Sequence, residues 1–199
     1  MPANHQRQDS ANIVPMAAAF EASLAILAVG LGWLLGTKPL ETLTWDPRVL
    51  GWGVAAAVPL VVILWLMVHF PWGPLRDLLR VVDELVVTMF EGASLFELAM
   101  ISLMAGIGEE LLFRGVVQAA FTQWTASEGA AVLAAGVIFG MIHSVTRTYA
   151  VLASLVGIYL GWLWLATGNV LAPIATHAVY DFVALWYLRW TATKRAPVA

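Results

Sequence analysis

Six apolar runs, each near the length a bilayer requires, leave this chain few folds to choose from. They cover residues 13–35, 49–70, a third run opening near Leu95, 129–144, 149–166 and 170–190. A membrane-crossing helix needs about 20 apolar residues. Inside hydrocarbon every backbone N–H and C=O must be paired within the structure, so only helices and closed barrels span it. Runs this long, without strand-like alternation, predict helices. The expected fold is therefore all-α: a polytopic membrane bundle of about six transmembrane helices.

The bundle is read as one domain over residues 13–190, between polar tails at 1–12 and 191–199, with no internal repeat and no separate soluble domain. The first run is too long for a signal-peptide core and lacks a clean cleavage site, so it is read as a retained span.

Composition agrees. The chain has 199 residues, 61% hydrophobic and 12% charged, against about 25% charged in soluble domains. Ten tryptophans and four tyrosines suit the aromatic belts of a membrane interface. A net charge of -3 with scattered basic residues gives no footprint for nucleic acid. Cysteine is absent, which excludes disulfides and thiol chemistry.

Residues 73–92, GPLRDLLRVVDELVVTMFEG, follow another pattern. Leu75, Leu78, Leu79, Val82, Leu85, Val86 and Met89 recur at helical spacing, while Arg76, Asp77, Arg80, Asp83 and Glu84 take the opposite face. This predicts an amphipathic helix lying in the membrane interface, with a helix packed on the bundle as the alternative. Small residues four apart, Gly32/Gly36, Gly136/Gly140 and Gly157/Gly161, are expected to let helices approach closely.

With six spans both termini share a side. That side collects Arg7, Arg76, Arg80, Arg147, Arg189, Lys194 and Arg195, and the other only Lys38 and Arg48. Basic residues gather on the cytoplasmic side, so both termini are expected there.

Against this background residues 106–115, GIGEELLFRG, stand out. Glu109, Glu110 and Arg114 sit in a span, where each charge costs about 2.5–3.5 kcal/mol on insertion scales. Glu110 and Arg114 are four apart on one helical face, in the favourable order, so pairing lowers the cost of burying both. Glu109 points about 100° away and is expected to face a cavity. His177 and Asp181 are also four apart, on the sixth run, and His143 ends the fourth. Three helices can thus bring carboxylates and two imidazoles to one point. Glu21 and His69 lie near span ends and are read as reaching headgroups or water.

Buried polar residues often only hold helices together, but this set is too large for that role alone. Among intramembrane hydrolytic chemistries, the zinc type would need His-Glu-x-x-His, which is absent. The serine candidates Ser102, Ser144 and Ser154 lack a nucleophile-like context. Asp181 is the only aspartate in a span, so an aspartate pair is missing. What remains is a glutamate, Glu109, activating water beside His143, with His177 and Asp181 holding the oxyanion.

These residues also carry a resemblance. EELLFR matches Glu-Glu-x-x-x-Arg, FGMIH ending at His143 matches Phe-x-x-x-His, and HAVYD from His177 to Asp181 matches His-x-x-x-Asn/Asp. In this order, over about residues 95–186, the chain resembles the CAAX-protease and bacteriocin-processing (Abi) family of intramembrane proteases. The resemblance implies an endopeptidase of the bacterial inner membrane acting on a membrane-anchored or lipidated peptide. It makes Glu109 the water-activating group, His143 its assistant, Glu110 and Arg114 mainly structural, and His177 and Asp181 the oxyanion pair. Asp181 replaces the neutral asparagine of some members, so it donates a hydrogen bond only when protonated and otherwise orients His177.

The family is often labelled metalloprotease, although a metal-free glutamate mechanism is better supported. No cofactor is expected. A zinc ion would have to use His143, His177 and Glu109 or Glu110. The rival functions are a non-catalytic membrane protein of the same fold in bacteriocin immunity or scaffolding, and a proton-coupled transporter, for which internal repeats would be expected.

Overall fold

The computed structural model describes residues 3–90 and 92–195; residues 1, 2 and 196–199 of the expected tails lie outside that range. Its elements are α1 (Ala3–Leu35), a 3₁₀ turn (Pro39–Thr42), α2 (Pro47–His69), α3 (Pro74–Phe90) and α4 (Leu95–Leu112). A π-helical turn (Phe113–Gln118) then leads into α5 (Ala119–Thr125), followed by α6 (Glu128–Ile142), α7 (Arg147–Thr167) and α8 (Leu171–Arg195). No strand occurs among the described residues.

The boundaries follow local chemistry. Asp46 accepts from the Arg48 amide at 2.8 Å and Pro47 opens α2, where its missing N–H costs nothing. Ser94 and Glu97 form a reciprocal capping box on α4, satisfying amides that would otherwise be orphaned. Ser127 caps α6 and Thr146 caps α7. Gly168 ends α7 at φ 63°, a conformation glycine adopts without steric penalty.

The helical membrane bundle expected from sequence is what forms. α1, α2, α7 and α8 contain stretches long and apolar enough to cross a membrane. α6 has 15 residues, and the third run continues from α4 through the π turn into α5. The exterior is apolar, with Ile26, Trp33, Trp52 and Val58 exposed, while Glu110, Arg114 and Gln118 are fully buried. Such inversion of polarity suits a bilayer as solvent.

Helices approach where side chains are smallest. A Cβ on Gly106 would come 2.9 Å from the Ile174 oxygen of α8, and one on Gly53 of α2 2.5 Å from the Ala172 oxygen. Gly136, Gly140 and Gly157 meet across α6 and α7 as expected, and Gly161 packs on Gln118. Gly36 differs from its expectation: nothing lies near it, and at φ +72° it terminates α1.

Much of the apolar stripe of α3 packs against the bundle, while Leu85 on it stays exposed. Leu75, Leu78, Leu79, Val86 and Phe90 are buried in a cluster with Val14, Leu64, Leu98, Ile101 and Leu188. The Arg189 guanidinium donates to the Phe90 carbonyl at 3.3 Å and to the Ala93 carbonyl, closing the end of α3 with a cation where helix carbonyls lack partners.

At the opposite end, Asn169 clasps two loops. Its amide nitrogen donates to the Thr44 carbonyl and hydroxyl, both at 2.7 Å, and its oxygen accepts from the Thr44 and Leu171 amides. The Val170 amide adds a bond to the Thr42 carbonyl. The loops after α1 and before α8 therefore lie together.

Candidate active site

Glu109 and Glu110 close α4, and the structure sends them to different partners. Glu110 is fully buried. Its Oε2 accepts from Arg114 Nε at 2.7 Å and its Oε1 from Arg114 Nη2 at 3.3 Å. Oε1 also accepts from His177 Nδ1 at 2.8 Å. Two donors with opposite ring and guanidinium geometry thus lock one carboxylate, offsetting the desolvation of burying it.

Arg114 lies under the Phe139 ring, 5.5 Å from its centroid, a cation–π placement that adds support. It sits in the π turn. Such one-turn bulges re-aim the residues after them and recur at functional sites. Here Arg114, Gly115, Val116 and Gln118 all face inward.

Glu109 turns into a cavity of about 560 Å³. It is 8% exposed, and its Oε2 has no hydrogen-bond partner among the described residues. His143 Nε2 stands 3.7 Å from that oxygen, beyond hydrogen-bonding distance but suited to a shared water. The ring is fixed from behind: Nδ1 donates to the Phe139 carbonyl at 2.8 Å, and Phe139 stacks on it at 4.4 Å. His177 is held at both nitrogens, with Nε2 3.3 Å from Asp181 Oδ2.

All the residues singled out in sequence thus converge, and one expected to be peripheral joins them. Glu21, read as reaching headgroups or water, lines the same cavity. Its position could not be read from α1 alone, because it depends on where α1 meets α4. His69 stays outside the cavity, with Nδ1 donating to the Trp65 carbonyl and its ring stacked on Trp65. Gln118, which sequence reading passed over, is fully buried and donates to the Gly161 carbonyl at 3.2 Å. The Ser102 and Ser154 hydroxyls bond to carbonyls of their own helices.

The remaining cavity wall is largely apolar, with Tyr149, Tyr159 and Tyr180 as its other polar side chains. Leu60, Ile63 and Leu64 of α2, Leu78, Leu79 and Val82 of α3, and Leu152 and Val156 of α7 line it. Of the zinc ligands expected from sequence, Glu110 and both nitrogens of His177 are already engaged, which leaves Glu109 Oε2 and His143 Nε2. Among the described residues no three His, Asp or Glu side chains are grouped to hold a metal.

Comparison with known proteins agrees with the motifs. Residues 91–183, which contain all three, match the family model described as type II CAAX prenyl endopeptidase Rce1-like. The uncharacterised protein YpbD of Bacillus subtilis (strain 168) is 27% identical over 155 residues, spanning 75% of this chain and 74% of that protein. No solved structure matches the chain.

Proposed function

We propose, from the match of residues 91–183 to the family model described as type II CAAX prenyl endopeptidase Rce1-like, that the chain is a glutamate-type intramembrane endopeptidase. Its substrate is a membrane-associated protein or peptide. The observation that carries this reading is the unpartnered Glu109 Oε2, buried in the cavity wall 3.7 Å from His143 Nε2.

A water between these atoms has an acceptor on either side. As its oxygen attacks the scissile carbonyl carbon, its proton passes to Glu109, and the carbonyl oxygen becomes an oxyanion. The proton held between His177 Nε2 and Asp181 turns toward that oxyanion. When the C–N bond breaks, Glu109 returns its proton to the leaving nitrogen, assisted by His143. Glu110 and Arg114 hold His177 in place. No metal takes part in these steps.

The test compares membrane peptides from cells making the wild-type chain with those from cells making Glu109→Gln. Peptides shortened only by the wild type are the expected result. Identical peptide sets would return the chain to the scaffold or transporter readings.

A further inference from the structure

No motif announces the third acid in the cavity wall. Glu21 lines it from α1, and its Oε2 is buried with no hydrogen-bond partner among the described residues. The approach is set by Gly108. A Cβ at that position would run into the Glu21 carbonyl oxygen and come 3.1 Å from Leu24 Cβ. The residue before Glu109 therefore seats the backbone of Glu21.

The charges of the site do not balance. Glu21, Glu109 and Asp181 line the cavity, His143 and His177 are its nitrogen bases, and no lysine or arginine lines it. Behind the wall, Glu110 takes up the charge of Arg114. With all four carboxyls ionised, Glu21, Glu109, Glu110 and Asp181 outnumber Arg114, His143 and His177 even when both imidazoles are protonated, a surplus that a bound cation removes. A carboxylate only accepts hydrogen bonds, and a buried acceptor left unpaired is costly. Two such oxygens, on Glu21 and on the nine-tenths-buried Glu109, face one space. The reacting water serves Glu109; Glu21 still lacks a donor. A cationic nitrogen satisfies it in charge and in hydrogen bonding, whereas a free carboxylate meets like charge.

We infer that Glu21 is a specificity residue that seats a cationic nitrogen of the substrate near the scissile bond. The nitrogen belongs to a lysine or arginine side chain or to a free N-terminus, and a free C-terminal carboxylate is disfavoured there. The apolar remainder of the wall then takes a hydrophobic segment. Together these describe a membrane segment at its basic flank, the side on which lysine and arginine accumulate. The inference rests on the peptidase reading of this cavity, but the seat can be measured without cleavage.

The experiment uses the full chain in detergent and short apolar peptides, N-acetylated and C-amidated, that differ only in one residue: Lys, Gln or Glu. Two further peptides keep Gln but carry a free N-terminus or a free C-terminal carboxylate. Binding is read on the Glu109→Gln protein by tryptophan fluorescence, and cleavage on the wild type by mass spectrometry. Tighter binding than the Gln peptide by about tenfold is expected for the Lys peptide, the free-N-terminus peptide or both, which tells the two sources apart. The Glu and free-carboxylate peptides should bind more weakly than Gln. Adding Glu21→Gln should bring the ratios near one. Equal binding across the series, absent binding included, overturns the seat without any substitution at Glu21, as does a preference that survives Glu21→Gln. Charge-selective binding with no cleavage keeps the seat and removes the peptidase reading. Cleavage with no charge preference does the reverse.

Discussion

His143 Nε2 lies 3.7 Å from Glu109 Oε2, while the Nδ1 of the same ring is 2.8 Å from the Phe139 carbonyl oxygen. A carbonyl only accepts, so Nδ1 carries the proton, and the lone pair of the neutral ring sits on Nε2. A carboxylate oxygen and an imidazole lone pair are thus 3.7 Å apart, close enough for one water beside them to touch both. Glu110, the next residue in the chain, has both oxygens occupied. One helix turn therefore presents a carboxylate with an unpartnered oxygen beside one bonded at both oxygens.

Substitution should separate the two. Glu109→Gln keeps shape and removes the proton acceptor, so peptide hydrolysis should fall by at least about 10²-fold with thermal unfolding in detergent little changed. Arg114→Ala leaves Glu110 buried opposite His177 alone, and breaking a buried pair from one side costs about 3–5 kcal/mol. Its signature is a lower unfolding temperature and yield. Near-normal hydrolysis by Glu109→Gln would remove it from the mechanism.

The Asn169 clasp makes a different prediction, because it lies at the end of the bundle away from α3. Asn169→Ala deletes the bonds to Thr44 and Leu171 and strands the buried Leu171 amide, a loss of about 1–3 kcal/mol. Stability should drop while the activity of the folded fraction persists. Loss of activity at unchanged stability would show that the clasp reaches the site.

The site was legible in sequence because its determinants are local. Glu110 with Arg114, and His177 with Asp181, are pairs four residues apart, and helical geometry alone puts each on one face. Glu21 was not legible, since its place depends on α1 meeting α4 at Gly108, a contact with no signature in either segment. The stripe of α3 showed that an apolar face must be covered, but not which helices it meets. The third run fails a purely apolar criterion because Glu97, Glu109 and Glu110 lie within it. The polar residues that build the site also blur the span that carries them.

Orientation is testable because the chain has no cysteine. Seven basic residues against two predict both termini in the cytoplasm. Single cysteines at Ser10 and Glu128 should differ in intact cells, with an impermeant thiol reagent labelling position 128 only. Labelling at position 10 would invert the protein and place the α3 end of the cavity outside.

Metal dependence separates the glutamate mechanism from its main chemical rival. Catalytic zinc takes three protein ligands and keeps a water. For the expected set of His143, His177 and Glu109 to supply three, His177 would have to give up Glu110 or Asp181, which it contacts at 2.8 and 3.3 Å. Giving up Glu110 would leave that carboxylate with Arg114 alone. His143 Nε2 and Glu109 can activate water without that rearrangement. Hydrolysis should therefore survive prolonged dialysis against chelator, and His177→Gln should not change the metal content of the purified protein. Stoichiometric zinc that is lost in His143→Gln and His177→Gln, with activity falling on its removal and returning on its restoration, would replace the glutamate mechanism with a metal-dependent one.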